Sequence, residues 1–193
     1  MAVALGPVVA GVALARGRWT LDADHSAVAF TIRHLGLSKV RGHFARFDAT
    51  LDVGDTVAAT RVAATVELAS INTNQPDRDV HLRSTDFFSV EQHPILHFAS
   101  TTIAGEGADW QLIGDLTLNG RTHPITLAVE FHGAENYPRD NKQHLGFSAT
   151  GSLRRSLYGI ELGLIPLGAD RLMLSDEVKL EIEVQFVAPD GPA

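Results

Sequence analysis

The stretch Val178-Lys179-Leu180-Glu181-Ile182-Glu183-Val184-Gln185-Phe186 alternates between apolar and polar side chains at every step. Successive side chains of an extended strand point to opposite faces, so this segment has one apolar and one charged face, as a half-buried antiparallel strand requires. The same period recurs upstream. Leu127, Val129 and Phe131 alternate with Thr126, Ala128 and Glu130, while Trp110, Leu112, Leu116 and Leu118 share one phase around Gly114. Val28, Phe30 and Ile32 repeat it near the start, and Val62, Ala64, Val66 and Leu68 give a smaller-volume version.

Between Val40 and Val53 the phase changes. Val40, Gly42 and Phe44 lie on one parity and Phe47, Ala49, Leu51 and Val53 on the other. One extra residue near Ala45-Arg46 reconciles the two, and a β-bulge supplies it while bending a long strand as barrel closure requires. The alternative is two shorter strands joined by a turn, although no Pro, Asn or Gly interrupts residues 43–47. Turn chemistry separates the runs at Gly54-Asp55, at Gly105-Glu106-Gly107, at Asn119-Gly120 and from Gly133 to Pro138. Asn119-Gly120 between alternating runs is the strongest hairpin signal. Gln75 to Val90, with helical spacing, and Arg155 to Ser175, a mixed loop, interrupt the meander. Eight or nine strands of about ten residues suit an up-and-down barrel or a two-sheet sandwich. At ~3.3 Å per residue such strands run roughly 33 Å, which favours the barrel.

The 193 residues hold 16 Lys plus Arg against 23 Asp plus Glu, a net charge of −7, with 45% hydrophobic residues and no Cys. Disulfides, Cys-ligated metals and thiol nucleophiles are excluded. The acidic balance argues against a nucleic-acid partner. Residues 1–15 carry no charged side chain, and Ala13-Leu14-Ala15 resembles a signal cleavage site. The run lacks a basic start, contains Gly6, Pro7 and Gly11, and leads straight into Arg16 and Arg18. It is therefore expected to be an uncleaved apolar arm packed on the domain or on a neighbouring subunit of a cytoplasmic protein; a cleaved signal would make the protein secreted or periplasmic. Fifteen residues are too few to span a bilayer as a helix. The expected organisation is this arm, one barrel domain over 16–188 and a tail over 189–193.

Gly146-Phe147-Ser148-Ala149-Thr150-Gly151 is one residue too long for a nucleophile elbow and lies in an alternating run. Nine His include His25, His34 and His43 at intervals of nine, with His93 and His97 four apart, and neither set has compact ligand spacing. No metal, cofactor or catalytic residue is expected. From His25 to Phe47 there are four cations (Arg33, Lys39, Arg41 and Arg46) and no Asp or Glu. This stretch is either a solvated face or an attractor of an anionic head group. His34 shares the phase of Phe30 and Ile32 and is expected to cap their row from inside. Arg78-Asp79-Val80-His81-Leu82-Arg83 forms a second polar cluster, serving either local capping or a mouth.

Together these segments resemble the YceI-like family of lipocalin-like, polyisoprenoid-binding proteins. The resemblance is carried by His25-Ser26-x-Val28-x-Phe30-x-Ile32-x-His34, Ser38-x-Val40-x-Gly42-x-Phe44, Ser70-Ile71-Asn72-Thr73 and Arg78-Asp79-x-His81-Leu82. It continues through Asp86-Phe87-Phe88, His93-Pro94-x-Leu96-x-Phe98, Gly114-x-Leu116-Thr117, Gly146-Phe147-x-Ala149, Arg155 and Gly159-Ile160. It implies an all-β, antiparallel, eight-stranded lipocalin-like barrel with one short helix and a long loop, often dimeric. It also implies binding or carriage of a long isoprenoid or other lipid, with the polar end at the mouth and without stable membrane insertion. Many relatives carry an export signal, which this chain does not convincingly show.

The tube wall is then expected from the apolar phase. It comprises Phe30, Ile32 and Val66 early in the chain, Leu112, Leu116, Leu127, Val129 and Phe131 in the middle, and Phe147, Leu180, Ile182 and Val184 late. Phe87 and Phe88 would close the mouth, and His34, Arg78 and His81 would meet the polar end. The alternatives are an enzyme acting on such a lipid, with His81 and Asp79 as an acid–base pair, and a filled barrel serving stress response or protein interaction.

Overall fold

The computed structural model describes residues 5–168 and 171–190. A short hairpin, β1 (Leu5–Val9) and β2 (Val12–Ala15), precedes the barrel. The first stave consists of β3 (Gly17–Leu21) and β4 (Ala27–His34), split by a single 3-10 turn. The second consists of β5 (Ser38–Phe44) and β6 (Phe47–Val53). Next come β7 (Arg61–Glu67), the two-residue β8 (Ile71–Asn72) and the helix α1 (Pro76–Arg83). Four long strands follow: β9 (Ile95–Glu106), β10 (Asp109–Leu118), β11 (Arg121–Tyr137) and β12 (Lys142–Arg154). The last stave is β13 (Leu174–Val187).

Every pairing is antiparallel, and β13 closes the eight-staved ring. One edge of β13 pairs with β12 from Glu177 to Val187. Its other edge pairs with β4 along most of its length and with β3 at Phe186 and Val187. The fold is thus the antiparallel barrel with one helix that the alternation and the resemblance imply.

The phase change falls at Ala45-Arg46, between β5 and β6, where buried Gly42 and Phe44 give way to Ala49 and Leu51 on the other parity. No turn intervenes. The backbone hydrogen bonds switch partners there: Ala45 N donates to Ser70 O (3.1 Å) and Glu67 N to Arg46 O (3.0 Å). The Ser70 hydroxyl accepts from Arg46 N at 3.0 Å. Above the break β6 pairs with β7, and below it β5 pairs with β8. The wall therefore opens below the break, and α1 with its following turn covers the gap.

Asn119 and Gly120, both left-handed at φ 51° and 69°, form the expected tight hairpin between β10 and β11. The turn expected from Gly133 to Pro138 lies later. β11 runs on to Tyr137, and its register shifts between Phe131 and Gly133, so Gly133 (φ 123°) serves a bulge inside a strand.

Both ends of the barrel are closed by packing. At the helix end the Phe88 ring lies 6.2 Å from Phe44, and Asn119 Nδ2 donates to Phe87 O at 2.7 Å. At the opposite end Val9 and Leu14 of the hairpin are buried against Trp19, Leu51 and Phe186. The Trp19 indole N–H donates to Ala15 O at 2.9 Å, tying the hairpin to the first stave. The apolar interior forms two clusters, one at each end, and Val62 and Ala64 touch both.

Candidate functional site: an apolar cavity inside the barrel

Leu180, Ile182 and Val184 point inward yet are only half-buried, because they face a void. The barrel holds a cavity of about 240 Å³ between its two apolar clusters. Its wall is aliphatic and aromatic apart from Asp48, Thr60 and Thr65. An engineered apolar cavity of ~150 Å³ stays dry and takes up benzene, so this space suits an apolar group rather than ordered water.

Nine of the expected wall residues line the cavity: Val66, Leu112, Leu116, Leu127 and Val129, with Phe147, Leu180, Ile182 and Val184. Three do not. Phe30 lies beyond it, its ring 5.7 Å from Phe44, which itself forms part of the wall. Ile32 stands farther along β4, between Val40 and Val178 in the register, past the end of the space. Phe131 is buried at the opposite end, its ring 5.1 Å from Phe147, in the cluster under the hairpin. Parity assigns a face but not a depth along the barrel axis, and these three share the face at the wrong depth.

The wall also includes residues outside the set expected to line it. Leu96 and Phe98 on β9 and Ile125 on β11 are lining residues whose spacing carried the signal. Pro7, Val9 and Leu14 come from the N-terminal hairpin, whose lack of alternation hid them.

The expected polar end is not assembled. His34, rather than capping the row from inside, is exposed at the end of β4, where the strand has run past the packed interior. The exposed Arg78 donates to both Thr73 Oγ1 and Thr73 O at 2.7 Å. Asp79 is buried and accepts from Thr73 N (2.9 Å) and Thr73 Oγ1 (2.5 Å). Arg78 and Asp79 thus clasp the loop entering α1. His81 Nε2 pairs instead with Asp86 Oδ2 at 2.7 Å, its ring edge-on to Phe87. The pairing of His81 with Asp79 that an acid–base role needs is therefore not made. Phe87 and Phe88 are half-buried against the helix-end cluster and close that end. Among the described residues no three His, Asp or Glu side chains gather as a metal site would require.

Charge at the two ends of the long loop after β12 is structural. The Arg155 guanidinium is buried and binds four backbone carbonyls, those of Ser175, Ile160, Leu162 and Leu174, at 2.8–3.0 Å. Burial pushes its pKa down, offset in part by Asp176. Burial pushes Asp176 up, but the Ser156 N–H and hydroxyl, with Arg154, outweigh it and hold the carboxyl below its ordinary range. Burial alone raises the Tyr158 hydroxyl, which lies under the helix-end cluster.

A family model for the YceI-like domain matches residues 19–186. A UPF0312 protein of Staphylococcus epidermidis is 37% identical over 171 residues, covering 88% of this chain and 96% of its own. The YceI protein of Campylobacter jejuni superposes with TM-score 0.69 at 29% identity, over 82% of this chain and 90% of that one. A polyisoprenoid-binding domain from Saccharophagus degradans shares the fold, with TM-score 0.66 at 16% identity, over 89% of this chain and 98% of that one. The closed barrel, its apolar interior and the match along the whole ring place this chain in the YceI-like domain family.

Proposed function

We propose that the protein binds and carries, or sequesters, a long-chain apolar ligand in the barrel cavity, and that this ligand is an isoprenoid such as a quinone tail or a prenyl phosphate. The observation that carries the reading is the wall itself: inward side chains from all eight staves surround a space that they do not fill. The Saccharophagus domain, named for polyisoprenoid binding, supports the ligand class through its shared fold. Binding without chemistry is favoured because, of the three polar residues along the wall, Asp48 and Thr65 are exposed and the Thr60 hydroxyl donates to Thr56 O.

The space is short for a long tail, since small-molecule sites usually span ~300–1,000 Å³. Uptake therefore requires the end packing to yield, with Val9 and Leu14 moving out or the half-buried wall residues rotating. Native mass spectrometry with organic extraction of the purified protein tests the reading directly. The expected result is a co-purifying lipid and, in a series of synthetic tails, affinity that rises by about fourfold per added methylene before it saturates. Equal affinity for short and long tails, or a barrel that takes up no apolar probe, would assign it instead to the filled, interaction-type barrel.

A further inference from the structure

The turn joining β4 to β5 is Leu35-Gly36-Leu37, apolar where turn chemistry favours Asn, Asp or Ser. Leu35 sits at φ 56°, a left-handed conformation that a branched side chain adopts only at a cost of about 1 kcal/mol. Leu37 at the tip is 73% exposed. The long loop after β12 stands beside this tip, with Leu35 N donating to Met173 O at 2.8 Å and the Arg171 side chain lying against Gly36. That loop adds Ile165 (54% exposed) and Leu167 (43%), so three large aliphatic side chains project from two adjoining turns.

Cations border this tip. Arg33 and Lys39 stand directly opposite each other across β4 and β5, and Arg41 follows on the same strand. All three are exposed, and among the described residues none has a carboxylate within ion-pair distance, whereas Arg46 is paired with Glu67. Like charges placed opposite each other destabilise a ladder, so the sheet gains nothing from Arg33 and Lys39. Residues 25–47 hold four cations and no anion, and residues 159–173 add Arg171 against Glu161 and Asp170. The two segments together carry +3 in a chain of −7.

We infer that this end of the barrel docks on an anionic lipid bilayer, with Leu37, Ile165 and Leu167 entering the interface and Arg33, Lys39, Arg41 and Arg171 meeting the lipid phosphates. A projecting aliphatic tip ringed by cations complements an anionic headgroup layer in both shape and charge. A second copy of the chain fits poorly. A two-fold contact through the same patch sets Arg33, Lys39 and Arg41 against their own counterparts, with no acidic residue between residues 25 and 47 to separate them. The surface is distinct from the cavity, and the inference stands whether or not the ligand is an isoprenoid.

Flotation of the full chain with vesicles of phosphatidylcholine alone, or with phosphatidylglycerol added, tests it. Binding is expected only to the anionic vesicles and is lost at high salt. Lys39→Gln with Arg41→Gln weakens it about 25-fold, from about fivefold per cation removed. Leu37→Ser weakens it roughly tenfold through lost apolar insertion. All these side chains are exposed, so the variants keep the wild-type melting temperature and still take up phenylnaphthylamine into the cavity, which separates this test from that of the ligand. Equal binding to both vesicle types, no binding to either, or binding unchanged in the variants overturns the inference. So does a concentration-dependent dimer that Leu37→Ser abolishes while vesicles bind neither protein.

Discussion

The Phe30 ring packs against Gly42 on the neighbouring strand, so close that a Cβ at residue 42 would meet Phe30 Cε1 at 2.7 Å and Thr73 Cγ2 at 2.9 Å. The glycine is a shelf for the aromatic floor that Phe30 and Phe44 form at the helix end. Gly42→Ala is expected to destabilise the protein by about 2 kcal/mol through overpacking. Combining it with Phe30→Leu recovers most of the loss. Urea denaturation of the two single variants and the double variant measures this coupling, and simple additivity would show that the ring is free to move aside.

Ala64 lines the cavity where the two apolar clusters meet. Ala64→Phe places a ring across the waist of the space. Affinity for a long apolar ligand should fall at least tenfold, roughly the loss of two buried methylenes. A fluorescent displacement assay beside a melting curve distinguishes lost binding from lost fold.

The N-terminal hairpin contributes Pro7, Val9 and Leu14 to the wall. Deleting residues 1–14 removes that end cover while leaving Ala15 for the Trp19 indole. Stability is expected to fall by about 3 kcal/mol as two buried aliphatic side chains are lost. Ligand dissociation should accelerate by more than tenfold in stopped-flow exchange; an unchanged rate would locate the entrance at the helix end.

Arg155 draws the chain on both sides of the long loop to one point by binding four carbonyls. Arg155→Met leaves those acceptors unpaired and should cost about 3 kcal/mol. Arg155→Lys should rescue little of it, because an ammonium lacks the planar fork. Chemical denaturation of both variants checks the ranking.

Asp176 titrates below its ordinary value in the folded state. Its contribution to stability is therefore fully present above about pH 4 and is lost as pH falls through the depressed folded pKa. Asp52, hydrogen-bonded by Arg18, and Asp140, hydrogen-bonded by the Lys142 N–H and by His144, act in the same direction. Urea midpoints should decline steeply on acidification from about pH 5 to pH 2, and Asp176→Asn should flatten part of that decline.

The alternation made the faces legible because a strand's period of two leaves no other choice. Leu180, Ile182 and Val184 could be assigned to the interior from nine residues of sequence, and Ala45-Arg46 marked its own irregularity by reversing the parity. Depth was not legible. Ile32 and Phe131 obey the same rule as Leu127, yet one lies past the cavity and the other under the hairpin, because axial position depends on strand stagger, which a single strand does not encode. The cluster from Arg78 to Arg83 reads equally well as a site or as a clasp, and it is Thr73, six residues before Asp79, that decides for the clasp. The hairpin over residues 5–15 was hidden for a different reason: Pro7 and Gly11 break any periodicity, and its role comes from where it packs.

Closure by β13 has a consequence for how the molecule comes to exist. The strand that completes the ring meets a stave begun more than 150 residues earlier, as in the contact of Gln185 N with Ser26 Oγ, a sequence separation of 159. Ring closure must therefore wait until nearly the whole chain has been made, and non-local pairing of this kind slows folding. Until then β4 and β12 present open edges beside an exposed apolar lining, the arrangement most prone to pairing with another chain. The outward charges on β13, Glu177, Lys179, Glu181 and Glu183, thus serve the nascent protein as well as the finished one, keeping the last strand soluble until its two partners receive it.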